Sequence, residues 1–232
     1  MRYWLVMPAA GASQRFGGTR PKQHMELAGR TVLEAALQLF IEDARCAGIA
    51  VALDQDALAD AALRRRLGAK VRTVAGGEQR CDSVLQALAA LGAELAADDW
   101  VLVHDAARAC LSQRDLDRLL QAGERETTGA LLAAPVSDTL KQAGASLTVE
   151  GTLERALLWR ALTPQMFRFG PLLGALQGAR AAGRTPTDEA QAMEWQGMHP
   201  RLVAALDSNI KITNPEDLVV AGAICAARAQ RP

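Results

Sequence analysis

Apolar runs of strand length alternate along the chain with stretches of helical period. Residues 3–7 read as a strand, followed by a loop of small residues through about Pro21. Leu33, Ala36, Leu37, Phe40 and Ile41 then fall on one face of a helix. Residues 49–53 predict a second strand, 56–67 a second helix and 71–75 a third strand. Val84, Ala87, Leu88 and Leu91 mark the next helix, and residues 100–104 a fourth strand. Leu116, Leu119 and Leu120 follow on a helix that opens with Ser112-x-x-Asp115, a capping pattern. Such alternation predicts an α/β fold, a doubly wound and mostly parallel sheet with helices on both faces. Sheets of this kind bind ligands beyond the C-terminal ends of their strands. Two polar, glycine-bearing segments stand at such ends, after Met7 and after Ala75, and His104-Asp105 closes a third strand.

The stretch 136–158 breaks the rhythm. Residues 139–142 and 146–150 predict two short strands around Ala143-Gly144-Ala145, a hairpin with little apolar material that projects from the core. Periodicity leaves open whether it embraces a partner subunit or is a surface insertion. Thr213-Asn214-Pro215-Glu216 predicts the cap of a last helix running towards Ala229. No internal repeat or linker interrupts the chain, so one domain over residues 1–232, with 136–158 as an arm, is expected, and no fused second enzyme.

Composition narrows the functional classes. Lys plus Arg and Asp plus Glu stand at 26 each, so no global field recruits nucleic acid or an anionic membrane. Phosphate binding then has to come from local cations. The N-terminal apolar run is too short for a signal peptide and no stretch is long enough to span a bilayer. Cys46, Cys81, Cys110 and Cys225 are scattered without a metal-ligand spacing, which fits reduced thiols in a cytoplasmic protein.

The loop Pro8-Ala9-Ala10-Gly11-Ala12-Ser13-Gln14-Arg15-Phe16-Gly17-Gly18 suits a phosphate chain. Its small residues let the backbone approach closely, and successive N–H groups can cradle an anion. Arg15 adds a planar charged fork and Lys22 a compact point charge. Neither GxGxxG nor a Gly-Lys-Ser/Thr closure is present, so the loop is neither a dinucleotide fingerprint nor a Walker A loop. An ordinary turn could look similar.

Taken together, the motifs are more specific. Pro8-Ala9-Ala10-Gly11 with Arg15 and Pro21-Lys22-Gln23 resembles the signature of the 2-C-methyl-D-erythritol 4-phosphate cytidylyltransferases. In the family's order follow Gly76-Gly77-x-x-Arg80-x-x-Ser83-Val84, Val103-His104-Asp105-Ala106-Ala107-Arg108, Ala134-Pro135-Val136-x-Asp138-Thr139 and Leu162-Thr163-Pro164-Gln165. Thr187-Asp188-Glu189-Ala190 and Asn209-Ile210-Lys211-Ile212-Thr213 complete a resemblance that covers essentially the whole chain.

The resemblance implies a Rossmann-like nucleotidyltransferase domain and a homodimer clasped through the hairpin arm. It also implies a Mg²⁺-dependent reaction, with Mn²⁺ as a possible substitute. The phosphate of 2-C-methyl-D-erythritol 4-phosphate would attack the α-phosphorus of CTP and expel pyrophosphate, a step in isoprenoid precursor synthesis. Arg15, Lys22 and Lys211 would stabilise the transition state. Ala10, Gly11, Ala12, Gly76, Gly77 and Ser83 would bind the nucleotide, and Asp105 would hold the metal. Asp105, Arg108, Thr139, Arg155, Thr163 and Thr187 would bind the acceptor, Thr139 and Arg155 across the dimer interface. His104 is read as structural, because a phosphate dianion needs no general base. His24 and His199 are read as incidental, Arg64-Arg65-Arg66 as a solvated face, and Trp159 and Trp195 as packing residues. Ala109 and His24 depart from the proline and tyrosine usual in the family, and Asp207-Ser208 from the common sequence before Asn209. A ribitol 5-phosphate cytidylyltransferase is the neighbouring alternative, and a catalytically silent nucleotide-binding domain the alternative of another class.

Overall fold

The computed structural model describes residues 1–11, 16, 21–206 and 208–229. A seven-stranded sheet forms the centre of the molecule. Its chain order begins with β1 (Tyr3–Ala9), a short hairpin of β2 (Glu26–Leu27) and β3 (Arg30–Thr31), α1 (Val32–Glu42) and β4 (Cys46–Leu53). Then come α2 (Gln55–Ala59), α3 (Ala61–Leu67), β5 (Val71–Ala75), α4 (Arg80–Leu91), β6 (Trp100–Val103), α5 (Gln113–Gly123) and β7 (Ala130–Pro135). β8 (Lys141–Ala143), β9 (Val149–Thr152), β10 (Trp159–Arg168), α6 (Phe169–Ala181), α7 (Glu189–Glu194), β11 (Arg201–Ala204) and α8 (Pro215–Ala229) complete it.

The strand order is β11-β7-β10-β6-β1-β4-β5, and only β10 runs against its neighbours. β1 pairs in parallel with β4 on one side and β6 on the other. The chain therefore winds outward from β1 in both directions, and the switch point lies between β1 and β6. The period-2 alternation of each strand feeds two separate cores. Leu5, Met7, Ile49, Val51 and Leu102 pack with Leu33, Leu37 and Phe40 of α1 and Leu116 and Leu119 of α5. Val6, Ala50, Val101 and Val103 pack with Val84 and Leu88 of α4 and Leu172 and Leu176 of α6 on the other face. Burial of each large side chain is worth about 1.5–3 kcal/mol, which makes the central strands the rigid floor of the molecule.

Several elements differ from the sequence reading. The predicted helix 56–67 is two helices, because Asp60 adopts extended backbone and its carboxylate accepts the Ala62 and Leu63 N–H groups, capping α3. The hairpin turn lies at Gly144–Thr148 rather than at 143–145, since Leu147 takes a positive φ of 58° and closes the loop against Gly144. Ser112 caps α5 as expected, but the Asp115 carboxylate turns away and accepts the Leu206 N–H instead. At α8 the capping acceptor is Asp217, which receives the N–H groups of Thr213 and Asn214. β7, β10 and β11 were not foreseen.

Candidate active site

Three loops meet beyond the C-terminal ends of β1, β5 and β6 and enclose a cleft of about 670 Å³. The start of the loop after β1 is held by Gln23, which is almost fully buried. Its amide donates to the carbonyls of Ala9 (2.8 Å) and Gly11 (3.1 Å), so the 3-10 turn Lys22–His24 folds back onto the strand end. Lys22 thereby lines the cleft.

After β5, the Gly76 N–H donates to the carbonyl of Leu53 (2.8 Å) and the Gly77 N–H to Ser83 Oγ (3.1 Å). The Ser83 hydroxyl is itself 3.3 Å from the Gln79 carbonyl and donates to it. Gly76 is required by its neighbours: a Cβ there would overlap that of Ala10 and reach 3.0 Å from Ser83 Oγ. The turn thus stands against Ala10 of the loop after β1, and the two form a narrow slot at one end of the cleft.

Beyond β6 the polar groups are fully buried. The Arg108 carbonyl accepts from His104 Nε2–H at 3.1 Å, and His104 Nδ1 accepts from the Thr163 hydroxyl at 2.9 Å. Thr163 Oγ1 in turn accepts the Asp105 N–H at 3.0 Å. With both nitrogens engaged and no solvent, burial pushes the His104 imidazole down to about 4, and it stays neutral. Arg108 lies behind this cluster, donating from Nη1 to the Asn209 carbonyl at 2.7 Å, and Asn209 Nδ2 donates to the Thr163 carbonyl at 2.8 Å.

Asp105 is the acidic centre of the cleft. One carboxylate oxygen accepts from Arg80 Nε at 2.9 Å and the other from Lys211 Nζ at 2.7 Å. Burial alone would raise its pKa, but the Arg80 and Lys211 cations outweigh it and hold the carboxyl well below the usual range. Arg80 reaches further, donating from Nη1 and Nη2 to both oxygens of the fully buried Glu189, at 2.7 and 3.0 Å. Burial works against the Arg80 charge, yet the two carboxylates raise its proton affinity, so it remains a cation. Arg80 and Lys211 on one carboxylate, with Lys22 lining the same cleft, suit a polyphosphate and its counter-cation.

Of the residues singled out in the sequence, Ala10, Gly11, Lys22, Gly77, Ser83, Asp105 and Lys211 line this cleft, and Gly76 backs it. Arg108 and Thr163 stand buried behind Asp105. Thr187 is exposed, its N–H donating to Gln191 Oε1 at 2.8 Å. Thr139 and Arg155 are exposed on the arm, outside the cleft of their own chain, with Arg155 donating to the Ser137 carbonyl. Ala12 and Arg15 lie outside the described residues. Arg80 and Glu189 went unassigned, although both stand inside quoted motifs. His24 is not incidental: its Nε2 lies 3.5 Å from the Asp54 carboxylate that caps α2. Trp195 does more than pack, since the Arg184 guanidinium stacks 3.9 Å above its ring, and Trp159 is half-exposed.

The family model described as IspD, 2-C-methyl-D-erythritol 4-phosphate cytidylyltransferase, matches residues 3–227. The chain belongs to the 2-C-methyl-D-erythritol 4-phosphate cytidylyltransferase family. It is 48% identical over 234 residues to the protein of that name from Acidithiobacillus ferrooxidans, covering 99% of this chain and 98% of that one. With the one from Pseudomonas aeruginosa it shares 48% over 220 residues, 94% of this chain and 93% of the relative. Among solved structures, the Francisella tularensis 2-C-methyl-D-erythritol 4-phosphate cytidylyltransferase superposes with a TM-score of 0.83 at 33% identity, over 97% of this chain and all of that one. The overall fold is thus that of the solved structures of this family. Among the described residues no helix is long and apolar enough to cross a membrane.

Proposed function

We propose that this protein transfers CMP from CTP to 2-C-methyl-D-erythritol 4-phosphate, releasing pyrophosphate, within isoprenoid precursor synthesis. The observation that carries the reading is the cleft itself, where Arg80 and Lys211 hold the ionised Asp105 and Lys22 lines the same cavity with Gly77 and Ser83. The family membership supports the same donor and acceptor.

In this reading the slot formed by Ala10, Gly11, Gly76, Gly77 and Ser83 takes the cytosine. Backbone N–H and carbonyl groups there test the exocyclic amine, which separates cytosine from uracil. The triphosphate then lies over Lys22, with Lys211 at the α-phosphate and Arg15 the further cation that the family resemblance implies. Charge accumulates on the α-phosphoryl oxygens as the acceptor phosphate enters in line with departing pyrophosphate. Cations fixed beforehand stabilise that state without reorganisation. Arg108, Thr163 and Thr187 shape the acceptor side, completed by Thr139 and Arg155 from a second copy's arm.

A divalent cation, Mg²⁺ or Mn²⁺, fits the donor set. Asp105 stays ionised, and each carboxylate oxygen keeps a further lone pair beside its hydrogen bond. Among the described residues no group of three His, Cys, Asp or Glu side chains could cage a metal, so Asp105 would hold Mg²⁺ together with substrate phosphates. When bound, the cation neutralises phosphate charge. His104, buried and neutral, orients the β6 end and moves no proton.

The arm supports the dimer reading. Leu147 and Leu157 are each 89% exposed and Val149 65%, apolar surface that an isolated chain leaves in water. Pyrophosphate release tests the whole proposal, with Mg²⁺ and each of CTP, UTP, ATP and GTP, against 2-C-methyl-D-erythritol 4-phosphate and ribitol 5-phosphate. Release with CTP and the methylerythritol acceptor is the expected result. Turnover of ribitol 5-phosphate alone, or CTP binding without any release, would overturn it.

A further inference from the structure

Glu189 is a fully buried carboxylate that opens α7, directly after the exposed Thr187 and the helix cap Asp188. Both of its oxygens bind one guanidinium, that of Arg80, the first residue of α4. The same guanidinium uses its remaining Nε–H on Asp105, whose other oxygen holds Lys211. A continuous chain of alternating charge, Glu189–Arg80–Asp105–Lys211, therefore crosses the floor of the cleft. One end sits in the segment 187–189, and the other, Lys211, lines the cleft.

Removing Glu189 would leave two cations against the single Asp105 carboxylate, but Lys211 is more than a third exposed and solvent can screen its charge. A second carboxylate with no exposure is a poor way to gain stability, since its desolvation offsets much of the attraction. A bidentate carboxylate does fix the plane and position of a guanidinium. Asp188 is locked in turn, its two oxygens accepting from Gln165 Nε2 and the Gln191 N–H, both at 2.9 Å, so Glu189 projects from an anchored turn.

Resting on the cytidylyl-transfer reading, we propose that Glu189 is a positioning residue: it fixes Arg80, and through Arg80 the Asp105 carboxylate, in the orientation that the metal-bound phosphates of CTP meet. Glu189 touches neither nucleotide nor acceptor. It couples the placement of the acceptor segment to the geometry of the metal-binding carboxylate.

Glu189→Asp keeps the charge and shortens its reach by one methylene, and Glu189→Gln keeps the shape and removes the charge. Both are compared with the unsubstituted protein by pyrophosphate release and by calorimetric titration with CTP, with and without Mg²⁺. Turnover is expressed per CTP-binding site, so that unfolded protein does not count. A displacement of about 1 Å at a reacting centre lowers rates by about 100-fold, so kcat of Glu189→Asp is expected to fall between about tenfold and 100-fold. KM for the acceptor stays within about threefold, since the groups that touch it are intact. The gain in CTP affinity on adding Mg²⁺ shrinks in both variants, and in an Asp105→Asn background Glu189→Asp changes it no further. A Glu189→Asp variant with kcat within about twofold of the unsubstituted protein overturns the proposal, whatever its melting temperature. So does an unaltered Mg²⁺ effect on CTP binding. If the unsubstituted protein releases no pyrophosphate, the parent reading falls instead, and the Mg²⁺-dependent titration still decides whether Glu189 places Asp105.

Discussion

Gly76→Ala tests the nucleotide slot most directly. The Cβ it adds would fall inside the 3.0 Å that such atoms keep from any heavy atom, and the obstruction is the Ala10 Cβ on the loop after β1. Ser83 Oγ would stand at 3.0 Å and the Leu53 carbonyl at 3.4 Å, so the turn cannot retreat sideways without losing the Gly76 N–H bond to Leu53. Carbon atoms settle about 3.5–4.0 Å apart, so turn and loop must separate by about 1 Å or more. Overpacking of this kind costs about 1–3 kcal/mol, and if the slot holds cytosine the cost falls on CTP binding as a loss of about five- to 150-fold. Calorimetry with CTP reads the loss. Removing the opposing carbon should restore it, so the double variant Gly76→Ala/Ala10→Gly should recover most of the affinity although Ala10→Gly alone does not improve it. Unchanged CTP affinity in Gly76→Ala, or no recovery in the double variant, would refute the placement of the base between these loops.

Lys22→Ala should lower kcat far more than it weakens CTP binding, because its charge matters most when negative charge gathers in the transition state; equal losses in the two assays would remove that role. His104 should leave the pH–rate profile without a step near 6.5, since burial holds its imidazole down to about 4. Its unfolded form takes up a proton first as pH falls below 6.5, so the folded state should lose about 3 kcal/mol between pH 6.5 and 4, at about 1.4 kcal/mol per unit. Urea midpoints of the protein and of His104→Gln across that range measure the difference, and parallel curves would contradict it. Leu147→Asp with Leu157→Asp, each a charge on an exposed arm leucine, should convert a dimer to monomers in analytical ultracentrifugation while leaving the melting temperature of the core nearly unchanged.

The local pattern was enough for the four strands β1, β4, β5 and β6. The runs of β1, β4 and β6 are buried on both faces, as a parallel sheet under two helical layers requires, while β5 keeps its apolar run as the part-exposed edge strand. The loops that bear chemistry were legible for the same reason, because strand ends in such a sheet all open on one edge. Motif order supplied the family, and with it Lys22, Asp105 and Lys211, which the structure brings together in one cleft. β7, β10 and β11 were not legible: Ala130–Pro135 is rich in residues of low strand propensity, and Trp159–Arg168 carries an interior proline at a register shift. That irregularity accompanies the placement of Thr163 under Asp105 and His104, an antiparallel insertion between β6 and β7 that no local signal encodes. The chain Glu189–Arg80–Asp105–Lys211 joins four segments spread over more than half the sequence. Residue types and spacing said that charges would be needed at phosphates. Which cation pairs with which carboxylate depends on distances of about 3 Å set by the packing of distant elements, and that only the tertiary structure decided.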